Sequence, residues 1–304
     1  MHAGAADIDA TLVARLVAAQ FPQWAGLPIE PIRSAGTDNA LYRLGEDMVV
    51  RLPRILTATG QIERERKWLP RLAARLPLAV PIPIAKGMPG EGYAWHWSIY
   101  RWLEGETATI DRIADPLQAA TELGEFVAAL QRVDPAGGPP PDEHNSFRGV
   151  PLSRRDSSTR DAIRRLRNTF DAAAVIAAWE AALHAPVWQG GDVWLHGDLH
   201  AANLLARHGR LSAVIDFGCM GVGDPACDVM VAWTYLSAET RDAFRAALPL
   251  DDATWARGRG WALSFGLIAL PYYETTNPEL AGIARRSIEE VLADEQRYPS
   301  SGEC

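Results

Sequence analysis

The hydrophobic pattern divides the chain into a sheet-forming half and a helical half. Apolar residues recur at helical spacing over Ile8–Phe21, which predicts an opening amphipathic helix. Short apolar runs separated by turn residues over Ile32–Leu52, and the aromatic run Tyr93–Trp102, predict a meander and a further strand pair. Between them, Gln61–Leu76 predicts one helix that ends before the proline-rich segment Pro77–Pro83. We therefore expect an antiparallel sheet carrying a single helix.

Beyond Gly105 the pattern changes to long helical segments. Five helices are predicted, over Pro116–Val133, Thr159–Leu183, Ala238–Leu248, Thr254–Leu270 and Glu279–Asp294. Two short apolar runs, Val193–Leu195 and Leu211–Ile215, interrupt the helices and predict strands on either side of a polar segment. The chain has 304 residues, close to the size at which a single core stops growing. We therefore expect an α+β protein with two lobes, residues 1–103 and 104–304.

Composition indicates a globular protein, and the net charge argues against a nucleic-acid partner. Hydrophobic residues make up 48% of the chain and charged residues 22%, which is sufficient apolar material for a packed core. The formal net charge is -8, whereas a protein that binds a nucleic-acid backbone needs a basic face. We therefore expect no nucleic-acid partner, and a neutral or cationic small substrate fits the charge better.

Cysteine usage and hydropathy predict a cytoplasmic protein. Three cysteines occur, Cys219, Cys227 and Cys304. They have neither zinc-ligand spacing nor the density of a disulfide framework, so a reducing compartment is the simpler interpretation. No basic leader precedes the first apolar stretch, and the longest charge-free apolar stretch, Trp261–Tyr273, is too short to span a bilayer. We expect no secretory signal and no membrane partner.

The polar segment between the two predicted strands carries residues suited to phosphoryl transfer. Asp198 is followed five residues later by Asn203, and Asp216 opens an Asp-Phe-Gly after one more strand. Phosphoryl transfer requires alignment of the acceptor and neutralisation of phosphate charge by Mg²⁺, which prefers oxygen ligands. Asp216 and Asn203 would supply such oxygens, and Asp198 would hold the acceptor hydroxyl and take its proton. The sequence therefore predicts Asp198 as the catalytic residue and the other two as metal ligands.

Two other interpretations of this segment have less support. His196, Asp198 and His200 alternate and could form a zinc site, but no second group of ligands at familiar spacing supports it. A structural role for His196, with its ring hydrogen-bonded inside the loop, is favoured instead. The segment could also be a strand-turn-strand whose polar residues only satisfy backbone groups. That interpretation explains one aspartate but not the joint spacing of all three residues.

These motifs resemble those of the aminoglycoside phosphotransferase family, which includes macrolide phosphotransferases and is related to choline and protein kinases. The resemblance rests on His196-Gly197-Asp198 with Asn203, on Asp216-Phe217-Gly218, and on Gly223-Asp224-Pro225 with Asp228. It implies a bilobal protein-kinase-like fold with an N-terminal antiparallel sheet carrying one helix and a mainly helical C-terminal lobe. It also implies Mg²⁺ and ATP or GTP as cofactors, and a supporting role for Asp228.

The nucleotide-binding residues follow from this resemblance. The family's nucleotide loop falls between two predicted strands, on Ser34, Gly36, Thr37, Asp38 and Asn39. Its phosphate-binding Lys falls on Arg51, a departure, because a guanidinium is larger and has a different donor geometry from an ammonium. Glu65 shares the apolar face of its helix, where an unpaired carboxylate would be costly, so it is the expected partner of Arg51. The family's hinge falls on Tyr100, Arg101 and Leu103, with the backbone of Arg101 and Leu103 facing the purine.

The acceptor is less constrained than the nucleotide. Glu274, next to two tyrosines, is a candidate for binding a cationic acceptor, whereas Glu289, Glu290 and Glu295 are expected on a solvated helix face. The resemblance implies phosphorylation of a hydroxyl on an aminoglycoside-like or macrolide-like antibiotic. A kinase of a small metabolite, such as an amino alcohol or a sugar, has the same nucleotide machinery. A nucleotide-binding pseudokinase is favoured only by the Arg51 departure.

Overall fold

The first half of the chain forms a five-stranded antiparallel sheet in the computed structural model, which describes residues 8–32, 36 and 38–297. The strands are β1 (Ile29–Pro31), β2 (Asn39–Leu44), β3 (Met48–Pro53), β4 (Pro83–Gly87) and β5 (Trp97–Arg101). Their order in the sheet is β1-β2-β3-β5-β4. A three-residue turn that begins at Gly45 joins β2 and β3, so the predicted meander is confirmed.

One helix covers the outer face of this sheet. Helix α1 (Ala10–Gln20) begins after Asp9, whose side chain caps it by accepting from the Leu12 N–H at 2.7 Å. Its buried stripe packs with Trp97 and Ile99, which point from β5 towards the same side of the sheet. The predicted opening helix is therefore present, and it closes a separate small core over the sheet.

The opposite face of the sheet is covered by helix α2 (Gln61–Ala73). Trp68, Leu69 and Leu72 line its buried face and belong to the large core of the helical half, together with Tyr100 of β5. This core therefore continues from the sheet into the helices, and α2 lies where the two halves meet.

The aromatic run Tyr93–Trp102 forms one strand, not the predicted pair. Its neighbour β4 begins at Pro83, within the segment that the sequence suggested only as a helix breaker. Proline has no N–H to donate, but β4 is the edge strand of the sheet, where a missing donor at the strand start is tolerated. The sequence placed both strands of the pair in the aromatic run because nothing local shows that a strand beginning at Pro83 would lie at the edge of the sheet.

The second half is mainly helical, as predicted. Its helices are α3 (Pro116–Gln131), α4 (Asp156–Leu166), α5 (Ala172–His184), α6 (Ala226–Val229), α7 (Val231–Thr234), α8 (Ala238–Ala246), α9 (Asp252–Tyr273) and α10 (Pro278–Arg297). Helix α9 is central, and α4, α5, α6, α7 and α10 all pack against it. No helix in the described part of the chain is both long and apolar enough to cross a membrane.

The single helix predicted over Thr159–Leu183 is two helices. α4 ends at Leu166, and Asp171 caps α5 by accepting from the N–H groups of Ala173 and Ala174. The break lets both helices bury their apolar faces against α9. A helical period persists through the break, so periodicity alone did not reveal it.

The acidic residues of α10 are less solvated than predicted. Glu290 forms an ion pair with the buried Arg241, and Glu295 pairs with Arg259 at 2.7 Å. Both arginines also contact Asp294, so the charges join α8, α9 and α10. Glu289 alone is exposed as expected.

Short strands carry the polar segment. They are β6 (Glu106–Thr107), β7 (Val193–Leu195), β8 (Leu204–Arg207), β9 (Arg210–Val214) and β10 (Gly221–Gly223). β7 pairs with β10, and β8 lies between β6 and β9. The loop after β7 and the loop after β9 therefore meet at one place.

Candidate active site

A buried carboxylate holds the loop after β7 in place. Asp228 of α6 accepts from the backbone N–H of His196 at 2.7 Å and of Gly197 at 2.8 Å. Burial raises the pKa of Asp228, while these two N–H groups oppose that rise. Gly197 has φ +84, and a Cβ there would lie 2.5 Å from the Cys219 carbonyl oxygen. Only glycine fits between the two loops.

His196 has the structural position that the sequence predicts. Its Nε2 lies 2.9 Å from the Ile215 carbonyl oxygen, and its Nδ1 accepts from the Asp198 N–H at 3.2 Å. This pattern assigns the proton to Nε2. Both ring nitrogens are therefore engaged, and the ring ties the loop after β7 to the loop after β9.

Asp198 lies between two nitrogen-bearing side chains. Arg148 donates from Nη2 to Oδ1 at 2.9 Å, and His200 Nε2 lies 3.4 Å from Oδ2. Burial would raise the pKa of Asp198, but the contact with His200 and the charge of Arg148 outweigh it and hold that pKa well below its usual range. Asp198 is therefore a carboxylate that can accept a hydrogen bond from a hydroxyl.

Asn203 links Asp198 to the second loop. Its Nδ2 donates to the Asp198 backbone oxygen at 2.9 Å, and its own backbone oxygen accepts from Ile215 N–H at 2.9 Å. The side-chain Oδ1 of Asn203 accepts no hydrogen bond from the residues that the structure describes. This oxygen is therefore available as a ligand.

Asp216 follows β9 in a left-handed backbone conformation, with φ 61 and ψ 66. Aspartate tolerates this region better than most residues. Its side chain is 42% exposed, and Oδ1 lies 3.2 Å from Arg51 Nη2. The carboxylate therefore faces the cleft between the sheet and the helical half, opposite β3.

Arg51 is the centre of a buried polar cluster. It donates from Nη1 to Glu65 Oε1 at 2.6 Å and from Nη2 to Gln61 Oε1 at 2.7 Å. The amide of Asn39, oriented so that its oxygen faces the guanidinium, accepts from Nε at 3.2 Å. Burial opposes the charge of Arg51, but Glu65 and Asp216 outweigh it and raise its pKa. The expected pairing of Arg51 with Glu65 is therefore present.

The other residues predicted to bind the nucleotide differ in their positions and exposure. Ser34 and Thr37 lie outside the described residues. Gly36 is exposed, and the Asp38 backbone oxygen accepts from Arg54 N–H at 2.7 Å, which begins the β2–β3 hairpin. Tyr100 is buried, and its hydroxyl donates to Glu65 Oε2. Tyr100 therefore contacts the Arg51 cluster through Glu65 and does not face the cleft itself.

The hinge backbone is partly occupied. Arg101 N–H donates to the Ile82 carbonyl oxygen at 2.9 Å, and Trp102 N–H donates to the Asp47 carbonyl oxygen at 2.7 Å. Leu103 N–H has no backbone partner among the described residues. The Arg101 N–H, predicted to face a purine, is therefore engaged with the neighbouring chain segment, whereas the Leu103 N–H is not.

The donor set of Asn203 and Asp216 fits Mg²⁺. Both offer oxygen, the atom that Mg²⁺ prefers, and Mg²⁺ commonly uses one or two protein ligands with the rest from phosphates and water. The described residues contain no group of three or more His, Cys, Asp or Glu side chains that could hold a metal ion. The zinc interpretation also fails on geometry, because both nitrogens of His196 are engaged within the loops.

Glu274 lies away from this centre. It caps the end of α9, is largely exposed and lies 3.8 Å from Arg285 Nη2. Phe265, whose ring stacks on His200, lies nine residues earlier in the same helix. At 1.5 Å per residue, Glu274 is roughly 13 Å further along the axis. The structure does not bring it to Asp198.

Sequence reasoning missed three residues at the site. Arg148 and His200 contact the Asp198 carboxylate, and Gln61 contacts Arg51. Arg148 precedes Asp198 by 50 residues, in a loop that has no recognisable motif. The alternation of His200 with Asp198 was visible, but only as a possible metal pattern.

Comparison with known proteins identifies relatives of this chain. A family model described as a phosphotransferase enzyme family matches residues 29–261, which include every residue of the centre. A comparison with curated proteins found no match.

Solved structures share the fold. The GDP complex of wild-type aminoglycoside 2'-phosphotransferase-IIIa superposes with a TM-score of 0.69 at 17% identity, covering 95% of this chain and 100% of that one. Macrolide 2'-phosphotransferase MphH from Brachybacterium faecium gives 0.59 at 24%, covering 92% and 97%. The streptomycin-ATP-APH(2")-IIa ternary complex gives 0.59 at 17%, covering 92% and 96%. The predicted α+β, bilobal kinase-like fold is therefore confirmed.

Proposed function

Because this chain belongs to the phosphotransferase enzyme family, we propose that it transfers the γ-phosphate of ATP or GTP to a hydroxyl of a small molecule, with Asp198 as the catalytic residue. One observation carries this proposal. Asn203, in the loop after β7, donates to the backbone of Asp198, and its own backbone accepts from Ile215, the residue before Asp216. Three residues chosen by sequence spacing thus form one centre, joined to the β3 arginine by the Arg51–Asp216 contact.

Each of these residues has a distinct part in the proposed reaction. Asp198, kept ionised by its neighbours, accepts a hydrogen bond from the acceptor hydroxyl and aligns its oxygen with the phosphoryl group. Such a weak base receives the proton late, which suits a loose transition state. Asn203 and Asp216 would hold Mg²⁺, which when bound neutralises charge on the phosphate oxygens. Arg51, held by Glu65, is positioned to contact the phosphates.

The acceptor is proposed by analogy with the structural neighbours. They include aminoglycoside and macrolide 2'-phosphotransferases, and one was solved with streptomycin. An antibiotic of one of these classes is therefore the first candidate, and a cationic acceptor near Glu274 belongs to the same proposal. A small cellular amino alcohol or sugar is the second candidate, because the nucleotide machinery is common to both.

Two organisational features complete the proposal. The nucleotide would bind between residues 1–103 and 104–304, because Arg51 and Asp216 approach the cleft from opposite sides. A reducing compartment such as the cytoplasm is in keeping with Cys219 and Cys227, both free thiols.

Substitution of Asp198 tests the catalytic assignment. Asp198→Asn keeps the shape but removes the charge that orients the hydroxyl, so we expect turnover to fall about 10²–10⁴-fold with nucleotide affinity nearly unchanged. Turnover would be measured with Mg²⁺ and ATP or GTP across aminoglycosides, macrolides and small amino alcohols. Calorimetric titration of nucleotide would report binding.

Asp242→Asn is the matched control, because Asp242 is exposed on α8. Full activity of Asp198→Asn would remove Asp198 from its role. Nucleotide binding by the wild-type chain without phosphorylation of any acceptor would favour the pseudokinase.

A further inference from the structure

A second arginine, Arg155, packs against α9 and has no acidic partner among the described residues. Arg155 donates from Nε to Ser264 Oγ at 2.9 Å, and its guanidinium carbon lies 4.6 Å from the Trp261 ring centroid. It forms no ion pair with any carboxylate of the described residues. The adjacent Asp156 instead accepts from Trp179 at 2.7 Å and Arg160 at 2.8 Å. The Nη groups of Arg155 therefore have no hydrogen-bond partner among the described residues.

Helix α9 connects this arginine to the side chains that contact Asp198. Its contacts Trp261 and Ser264 lie on α9 within one turn of Phe265. The Phe265 ring stacks on His200 at 5.9 Å between centroids and lies 6.0 Å from the Arg148 guanidinium carbon. One face of α9 therefore links Arg155 to the groups that contact Asp198.

Two buried N–H donors in the same neighbourhood lack acceptors. Arg148 Nε and Trp261 Nε1 are inaccessible and have no hydrogen-bond partner among the described residues. Both residues are more than nine-tenths buried. An excess of N–H groups over oxygen atoms is the pattern of a site that accepts an electron-rich ligand or ordered water.

The nearby carboxylates do not balance this positive charge. Asp198 is paired with Arg148, and Asp228 is committed to the backbone of the loop after β7. Asp224 forms a buried pair with Arg257 at 2.8 Å. Burial and, to a smaller extent, the charge of Arg148 lower the pKa of Arg155 to about 10, and no carboxylate offsets them.

We propose that Arg155 binds a negatively charged substituent, a carboxylate or a phosphate, on the hydroxyl acceptor. This inference rests on the proposed phosphotransfer and names the charge class of its acceptor. A guanidinium stacked on Trp261 is held in one plane and can donate two parallel hydrogen bonds to such a group. A partly buried cation without a carboxylate partner is unfavourable, so this subsite would attract an anionic substituent and repel an ammonium group at that position. An acceptor that also carries ammonium groups would place them away from Arg155, towards Glu274.

Acceptors that differ only in charge test this subsite. One matched set is galactose, galactosamine and galacturonate, and a second is glycerol, 2-amino-1,3-propanediol and glycerate. Binding to the nucleotide-loaded protein would be measured by calorimetry, together with kcat/KM for any member that is phosphorylated. In at least one set we expect the acid to bind about tenfold tighter than the amine.

Variants at neighbouring arginines separate binding from folding. Arg155→Met should remove the preference for the acid while the neutral member binds as before, and Arg155→Lys should retain part of it. Arg154→Met is the control, since Arg154 is exposed and adjacent. A merely structural role of Arg155 would weaken all three members of a set alike.

The outcomes distinguish this inference from the function on which it rests. Slow nucleotide hydrolysis without acceptor, lost in Asp198→Asn, would establish working phosphotransfer machinery. If that hydrolysis is present but the amine binds as well as the acid, neither set binds, or the preference survives Arg155→Met, the subsite is overturned alone. Absence of both nucleotide binding and hydrolysis in the wild-type protein would overturn the proposed function.

Discussion

At the scale of single residues, Arg51 shows how this chain accommodates a departure from the family's lysine. An ammonium could not reach four partners at once, whereas the guanidinium contacts Asn39, Gln61, Glu65 and Asp216. Glu65 is only 1% exposed, and its two carboxylate oxygens are paired with Arg51 and with the Tyr100 hydroxyl. The arginine is therefore part of the fold as well as a candidate phosphate ligand.

Removing the arginine should destabilise the protein more than removing the pair. Arg51→Met leaves Glu65 buried without its cation, and we expect a loss of about 3–5 kcal/mol in the free energy of unfolding. Glu65→Gln in the same chain should recover part of that loss, because the stranded charge is gone. Denaturant unfolding of the two single variants and the double variant measures the coupling. Additive losses would show that the two side chains do not depend on each other.

At the scale of elements, α9 organises the helical half. It is buried along most of its length, and small residues allow its neighbours to approach closely. A Cβ on Gly266 would lie 2.6 Å from the Ala284 carbonyl oxygen of α10. Gly282, in α10 itself, has nothing within 4 Å of the same built atom. Gly266 is therefore required for close packing of the two helices, whereas Gly282 is not, although both lie inside helices.

Alanine at these two positions should shift stability in opposite directions. Gly266→Ala forces α9 and α10 apart, and we expect a loss of about 1–3 kcal/mol. Gly282→Ala adds helix propensity without a clash, and we expect a gain of up to about 1 kcal/mol. Thermal and denaturant unfolding compare the variants, with the far-ultraviolet circular dichroism spectrum as a check that helix content is kept. Equal effects at both sites would contradict the packing of α9 on α10.

At the scale of the whole molecule, the two halves are linked through polar contacts and through one shared core. Arg64 of α2 donates to the backbone oxygens of His144 and Gly218, and Arg51 contacts Asp216. Trp68 of α2 packs edge-on against Trp194 of β7, with ring centroids 4.7 Å apart. A ligand that binds at Asp216 would therefore stabilise contacts made by both halves.

Nucleotide should raise the melting temperature of the whole chain in a magnesium-dependent way. At 100 times its dissociation constant, a ligand that binds only the folded state adds about 2.7 kcal/mol. We expect the Mg²⁺-dependent part of this shift to be lost in Asp216→Asn and kept in Asp242→Asn, which alters an exposed residue. Scanning calorimetry with ATP or GTP, with and without EDTA, provides the measurement. A shift in Asp216→Asn that still requires Mg²⁺ would remove Asp216 from the proposed metal site.

The parts of this protein that local sequence determined are those whose physics is local. Helical period placed Glu65 on the inner face of α2, and turn residues delimited the β2–β3 hairpin. The spacing of Asp198, Asn203 and Asp216 was diagnostic because a short loop, a strand pair and a second loop return the chain to one place. The resemblance to phosphotransferases rested on the same short segments.

Only the tertiary structure decided which distant residues surround that centre. Arg148 and Arg155 come from the connection between α3 and α4, and their contacts with Asp198 and α9 join positions 50 and 109 residues apart. The edge position of β4, the break between α4 and α5 and the ion pairs of α10 likewise depend on neighbours that are remote in sequence. Period and spacing show which face of its own element a residue occupies, but not which other element covers that face. The charge around Asp198 depends on those covering elements, so only the tertiary structure revealed it.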